Sequence, residues 1–187
     1  MVSLSTLAAI SHSLTNQTEL SRIGNKFFAA VIGEPASQYS KSPRLWNAAF
    51  KRLGLDAVYF PFDVDETHLE ALLKALAECD QALGVNVTVP HKLAVMQFLD
   101  EIDPSAQKIQ AVNTIVRTPA GKLIGYNTDG DGFLASLLKP QPARGASFVP
   151  TLAGINVLLI GAGGSARAVA FQIAPGVSGG KLVLCNH

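Results

Sequence analysis

Residues 155–168 read INVLLIGAGGSARA, and this stretch decides the fold class. An apolar, β-branched run stops at a tight glycine turn and passes at once into the helical pattern RAVAFQIA of residues 167–174. A further apolar run, KLVLC at 181–185, follows, so the three pieces form one strand–helix–strand unit. The turn itself, Gly161-Ala162-Gly163-Gly164-Ser165-Ala166, matches the dinucleotide fingerprint with alanine at its third small position. Gly161 permits the turn and Gly163 a close approach. Backbone amides from Gly163 to Ala166 then point at a pyrophosphate on the helix N-terminus. The bland alternative is a strand-to-helix turn that uses glycine for steric reasons alone.

The second strand runs out in Leu184-Cys185-Asn186-His187, where a dinucleotide fold meets the adenosine ribose. No acidic residue stands there, so selection of NAD by a carboxylate has no support. NADP is favoured by exclusion, with Asn186 at the contact position and His187 the basic group at hand for a 2′-phosphate. A doubly wound fold needs more strands than two. Residues 152–187 therefore read as the start of a Rossmann-like nucleotide domain, and the chain as one that continues in its complete form.

Upstream, residues 140–151 (PQPARGASFVPT) hold three prolines and no apolar period, the composition of a linker. Residues 27–139 alternate strand and helix signals. FFAAVI (27–32) is a buried strand, and Ser42 and Pro43 read as an N-cap and first helical residue, with Gly54 closing that helix. AVYFPFDV (57–64) is a second strand, and Asp65 caps a helix whose Leu69, Leu72, Leu73 and Leu76 fall on one face. ALGVNVTV (82–89) is a third strand. Pro90 then opens a helix carrying Val95, Phe98, Leu99 and Ile102. Residues 111–130 read as a hairpin turning at Pro-Ala-Gly-Lys, with a short helix from about Asp131. The expectation is an α/β chain: a mainly parallel open-sheet substrate domain at 27–139, followed by the beginning of a nucleotide domain. Residues 1–26, polar and without period, read as a poorly ordered extension.

Composition closes off other classes. With 48% hydrophobic and 16% charged residues over 187, the chain can bury a real core. Fifteen Lys and Arg against fourteen Asp and Glu leave a net charge of +1, which provides no basic field for nucleic acid or an anionic membrane. Cys79 and Cys185 make neither a disulfide framework nor a zinc spacing, which fits a reducing, cytoplasmic compartment. No signal peptide or membrane-spanning run is present in the sequence. Serine-hydrolase, P-loop and zinc-protease motifs are all missing. The four histidines are scattered, with His91 a polar residue at a helix start, and no metal site is expected. Trp46 and the phenylalanines read as core.

Four polar segments sit at the ends of apolar strands, where open α/β sheets bind ligands. They are YSKSP (39–43), NVTVPHK (86–92), AVNT (111–114) and YNTDG (126–130). Ser40 and Ser42 precede a helix, where one hydroxyl caps and the other is available to a ligand. Alternation places Asn86 and Thr88 on one face of their strand. Lys92 follows at a helix start, where a cation opposes the helix dipole and calls for a carboxylate or anionic ligand. Asp129 is the natural partner, and a lysine–carboxylate pair can move a proton. Spacing fits a solvated lysine and a turn-forming aspartate equally well.

VIGEPASQYSKSPRLWNAAF, GVNVTVPHK, AVNTI, GYNTDG and GAGGSARA, in this order and spacing, resemble shikimate dehydrogenase. The resemblance implies NADP(H)-dependent interconversion of 3-dehydroshikimate and shikimate, a step of aromatic amino-acid biosynthesis toward chorismate. It implies that Ser40 and Ser42 bind the substrate carboxylate, that Asn86, Thr88, Asn113 and Asp129 bind ring hydroxyls, and that Lys92 is the acid/base residue, working with Asp129. Two positions depart from the family pattern: Trp46 stands where histidine is usual, and His187 where a basic residue follows the asparagine. The quinate/shikimate dehydrogenases and a truncated, non-catalytic shikimate-binding module are the alternatives.

Overall fold

The structure is a computed structural model and describes residues 3–186; His187, invoked above for the 2′-phosphate, lies outside the described residues. It divides into two compact units. The first comprises residues up to Asp103 together with Val112–Tyr126, and the second Pro104–Ala111 together with Asn127 onward. The boundary therefore falls at Tyr126, ahead of the expected proline-rich linker. The physical reason is that the helix at Asp129–Leu138 packs on a later helix of its own unit.

The first unit is a six-stranded sheet in the order β2-β1-β3-β5-β6-β4. Its strands are β1 (Phe27–Gly33), β2 (Ala57–Asp63), β3 (Ala82–Val87), β4 (Glu101–Ile102), β5 (Thr114–Arg117) and β6 (Leu123–Tyr126). The pairs β1/β2, β1/β3 and β4/β6 are parallel, whereas β3/β5 and β5/β6 are antiparallel, as expected of a hairpin joined to a mainly parallel sheet. Alternation along β1 and β2 divides two cores. Phe28, Phe60 and Phe62 form an aromatic cluster on one face, with Phe60 and Phe62 stacked at 5.8 Å. On the other face Val31, Phe50 and Tyr59 cluster with Ala36. The helices of this unit are α1 (Leu4–His12), α2 (Ala36–Tyr39), α3 (Ser42–Leu53) and α4 (Leu69–Ala77). All four leucines of the stripe on α4 are buried, and Gly54 closes α3 at φ 66°.

Several expectations are corrected. Residues 3–26 are not a loose extension. Ser3 caps α1 through the amide of Thr6, Ile10 is fully buried, and the guanidinium of Arg22 lies 5.7 Å from the Phe60 ring centroid. Short polar stretches between apolar residues hid a segment that is held by docking rather than by its own periodicity. The same segment covers the outer edge of the sheet. The side chain of Asn16 donates to the Pro61 carbonyl and accepts from the Asp63 amide, while the Thr15 amide donates to the Asp63 carbonyl. Farther along β2, the Asn47 amide pairs with both backbone groups of Tyr59, at 2.8 and 3.0 Å. Pro61 has no amide to expose, so the edge is blocked from Tyr59 to Asp63.

Beyond Pro90 the chain makes turns and a short 3-10 helix, Ala94–Phe98, then β4, in place of one continuous helix. Ile102 belongs to a strand, so its helical spacing from Val95 was coincidental. His91 is buried, with its Nε2 against the Val64 carbonyl at 2.7 Å, and is a core histidine rather than a polar helix start.

The second unit contains α5 (Pro104–Ile109), α6 (Asp129–Leu138), β7 (Val157–Ile160), α7 (Gly164–Ile173) and β8 (Leu182–Cys185). β7 and β8 pair in parallel, giving the expected β-α-β unit. Ile109, Ala111 and Ala168 join α5 to α7. Gly130 lets α6 approach so closely that a Cβ there would lie 2.5 Å from the Ala168 carbonyl oxygen. No described helix is long and apolar enough to cross a membrane.

Candidate functional site

In the first unit the candidate residues stand at the C-terminal ends of β1 and β3 and the start of β5. The register that pairs Val31 with Asn86 and Asn86 with Thr114 brings these ends side by side. Beyond β3, the Thr88 amide donates to the Ile32 carbonyl and the Val87 amide to that of Asn113. The Gly33 position is so crowded that a Cβ would collide with the Thr88 side chain, so glycine there is what admits Thr88 to the site. Lys92 is anchored through its own carbonyl, which accepts from the Val112 amide at 2.8 Å. It sits in a turn, so the dipole argument made for it above loses its basis while its place beside the AVNT segment stands.

Ser42 is the first residue of α3 rather than its cap; the cap position is Lys41, whose side chain makes no capping bond. Ser40 plays part of that role, its Oγ accepting from the Ser42 amide at 3.3 Å. The loop that presents both serines is tied down from behind. The buried Asp63 carboxylate receives the Ser37 amide at 2.6 Å and also a short bond from the Ser37 hydroxyl. Sequence reasoning missed both residues, because a single aspartate ending an apolar strand carries no local signal.

A row of side-chain hydrogen bonds joins the candidates. The Tyr59 hydroxyl donates to Asn86 Oδ1 at 2.7 Å, Asn86 Nδ2 to Thr114 Oγ1 at 3.2 Å, and Thr114 Oγ1 to Asn113 Oδ1 at 3.0 Å. Burial pushes the Tyr59 phenol well above its ordinary pKa, opposed by a hydrogen bond with the Ser42 hydroxyl. Asn86 and Asn113 thus belong to one bonded row, while Tyr59 and Thr114 join it without having been foreseen. Trp46, expected in the core, is 42% exposed and stacks on Tyr59 at 6.2 Å. A hollow of about 210 Å³ opens beside it, with mostly apolar walls that include Ala29, Phe50 and Val85, and with Tyr59, Asn86 and Thr114 of the row as its polar edge.

In the second unit Gly161 adopts φ 107°, a conformation that favours glycine, and Gly163 precedes the first residue of α7. A Cβ at either glycine would meet nothing within 4 Å, so the protein's own packing does not require the small residue at 163. The open space lies at the N-terminus of a ten-residue helix, the place where a pyrophosphate binds. Ile160, Gly161, Cys185 and Asn186 line a hollow of about 390 Å³ at the ends of β7 and β8. Ala162, Gly164 and Ala166 complete the turn. Ser165 does something further: its hydroxyl donates to Asp129 Oδ2 at 3.0 Å. Asp129 opens α6, and its amide donates to Asn127 Oδ1. The glycine turn and the NTDG loop, read separately in the sequence, are therefore bonded to each other. Among the described residues, no group of three His, Cys, Asp or Glu is placed to hold a metal ion.

Comparison with known proteins agrees with this geometry. Residues 31–115 match the shikimate dehydrogenase substrate binding domain. The shikimate dehydrogenase (NADP(+)) of Lysinibacillus sphaericus is 49% identical over 148 residues, which is 79% of this chain and 50% of that one. The Bacillus subtilis protein of the same name is 45% identical over 159 residues, 84% of this chain and 52% of its own. Among solved structures, a Thermus thermophilus shikimate 5-dehydrogenase in complex with shikimate is 36% identical, with a TM-score of 0.74 over 86% of this chain and 56% of that one. A shikimate dehydrogenase in complex with NADP+ is 41% identical at TM-score 0.74, covering 87% of this chain and 52% of its own. The chain spans about half the length of the curated relatives it matches. In its ordered motifs and its fold, the chain is similar to shikimate dehydrogenases, and its residues 31–115 match their substrate binding domain.

Proposed function

We propose that the protein is an NADP-dependent oxidoreductase that reversibly reduces 3-dehydroshikimate to shikimate, on the path to chorismate and the aromatic amino acids. The observation that carries this reading is the bonded row from Tyr59 through Asn86 to Asn113, because a small ring with several hydroxyls needs directional donors and acceptors from separate strands. The names of the relatives favour this reading over the quinate alternative and over a non-catalytic module.

Ser40 and Ser42 hold the carboxylate of the acid, while Asn86, Thr88, Asn113 and Asp129 bind its hydroxyls. Lys92 gives or takes the proton at the reacting oxygen, and Asp129 serves the same transfer from its own unit. Gly161 to Ala166 and Asn186 hold the dinucleotide, which when bound supplies or accepts the hydride. The amides at the start of α7 favour its phosphates, and the open faces of Gly161 and Gly163 admit them. A cytoplasmic setting goes with this reading, supported by the two free cysteines.

The test is loss of NADPH absorbance on addition of 3-dehydroshikimate to the chain. Lys92→Ala is expected to lower turnover about 100-fold while shikimate affinity stays close to that of the unsubstituted chain. An unchanged turnover number removes Lys92 from proton transfer, and failure to bind shikimate at all overturns the substrate assignment.

A further inference from the structure

The turn that presents Ser40 and Ser42 is too short to hold its own shape. Helix α2 has four residues, Ala36–Tyr39, and Pro35 at its cap position offers no side-chain acceptor to the amides of the first turn. A single helical turn is unstable by itself, and those amides need partners from elsewhere. Asp63, the last residue of β2, supplies one. Its Oδ1 accepts from the Ser37 amide at 2.6 Å, and its Oδ2 takes a short bond from the Ser37 hydroxyl. A residue on a distant strand thus does for α2 what a local serine or aspartate does at most helix starts.

Asp63 is itself held firmly. It is 5% exposed and stands opposite Gly33 at the end of β1. Its amide donates to Asn16 Oδ1 at 2.9 Å, and its carbonyl accepts from the Thr15 amide at 2.8 Å. Buried Ala36 seats α2 against Val31, Phe50 and Tyr59, and the Tyr39 hydroxyl donates to the Val89 carbonyl at 3.1 Å. Ser40 follows at once. Its amide donates to the Ala36 carbonyl at 3.0 Å, and its Oγ accepts from the Ser42 amide. The orientation of α2 therefore sets where both hydroxyls stand.

We propose that Asp63 is a positioning residue that fixes the orientation of α2 and so places the Ser40 and Ser42 hydroxyls for the carboxylate of the ligand. A carboxylate repels an acid at contact distance, so Asp63 serves the site through Ser37 and from behind the turn. The inference rests on the substrate reading above and adds a division of labour: affinity for the ligand's carboxylate runs through Asp63, and affinity for its ring hydroxyls does not.

The experiment uses the chain with Asp63→Ala, Asp63→Asn and Ser37→Ala, and measures by calorimetry the binding of shikimate and of its uncharged methyl ester. Asp63→Ala is expected to weaken shikimate binding about 10-fold and to leave the ester within about twofold, so the preference for the free acid collapses. Partial unfolding lowers the stoichiometry for both ligands alike and leaves that preference unmoved. Asparagine can accept from the Ser37 amide and donate to the Ser37 oxygen, so Asp63→Asn is expected to stay within about threefold of the parent. Ser37→Ala removes one of the two bonds at an exposed position, with an expected loss of about threefold for shikimate, and answers the same question should Asp63→Ala fail to fold. The backbone amide NMR signals of Ser40 and Ser42 in the ligand-free protein give a second reading, moved by Asp63→Ala and close to the parent in Asp63→Asn. Equal losses for acid and ester, an unchanged preference in Asp63→Ala and Ser37→Ala, or Asp63→Asn as damaging as alanine overturns the positioning role alone. No shikimate binding by the unsubstituted chain overturns the substrate reading and the division of labour with it. Ser40 and Ser42 signals that Asp63→Ala leaves in place show separately that Asp63 does not hold the turn.

Discussion

Strands β1 and β7 carry nearly the same sequence signal, a short apolar run halted by glycine, and they end in different surroundings. β1 has a neighbour on each side, and Phe28, Ala30 and Ile32 are fully buried. Among the described residues β7 has one neighbour, and Leu158 and Ile160 are 61% and 80% exposed. The pattern of apolar residues states that a strand forms, and the number of layers packed on it settles what the strand is worth. In the first unit the sheet is an interior. In the second it is a frame for the glycine turn, with tight packing confined to the helices beside it.

The sharpest way to break this contrast is to remove a large side chain from each sheet. Phe62→Ala takes away a fully buried ring stacked on Phe60, and is expected to cost about 3–5 kcal/mol in denaturant unfolding of the first unit. Ile160→Thr in the second sheet is expected to stay within about 0.5 kcal/mol. Equal losses at the two sites would erase the distinction. A smaller effect tests where the second unit is tightly packed. Gly130→Ala places a methyl 2.5 Å from the Ala168 carbonyl, backbone that cannot turn aside, and is expected to destabilise that unit by about 1–3 kcal/mol. Wild-type stability would move the packing centre away from the contact between α6 and α7.

The smallest expected effect concerns acid. Asp65 accepts from the Thr67 hydroxyl and from His68, and its carboxyl is lowered from 3.8 to about 2. A carboxyl lowered in the folded state contributes stability that is complete above pH 3.8 and is lost as pH falls through about 2. Replacement by asparagine, itself a good cap, should flatten the acid limb of the stability curve between those values and leave neutral pH unchanged. An identical acid limb in the two proteins would assign that loss to other carboxylates.

The same contrast explains how much was legible beforehand. Leu69, Leu72, Leu73 and Leu76, the hairpin at residues 111–130 and the β-α-β unit are local patterns, and local patterns translate directly into elements. Ser40, Ser42, Asn86, Thr88, Lys92 and Asn113 were singled out because they lie in short polar motifs at strand ends. Tyr59 and Thr114 were not singled out, because a tyrosine in an apolar strand looks like core and a threonine suits any strand. Their part arises from the sheet, which brings Tyr59 and Thr114 to Asn86 from 27 and 28 residues away. The helix at residues 4–12 escaped notice for a similar reason, since its buried face is a single isoleucine meeting partners far along the chain.

The cover laid over β2 by Asn16, Thr18 and Asn47 has a bearing on how this molecule behaves in company. A sheet with an open flank invites another polypeptide to lengthen it, and here the rungs at Tyr59, Pro61 and Asp63 are already taken by the molecule's own amides and by a proline. Clipping off the first twenty residues would strip part of that cover and turn a self-contained domain into one with an adhesive rim, so the short leading segment acts as a guard against misassembly.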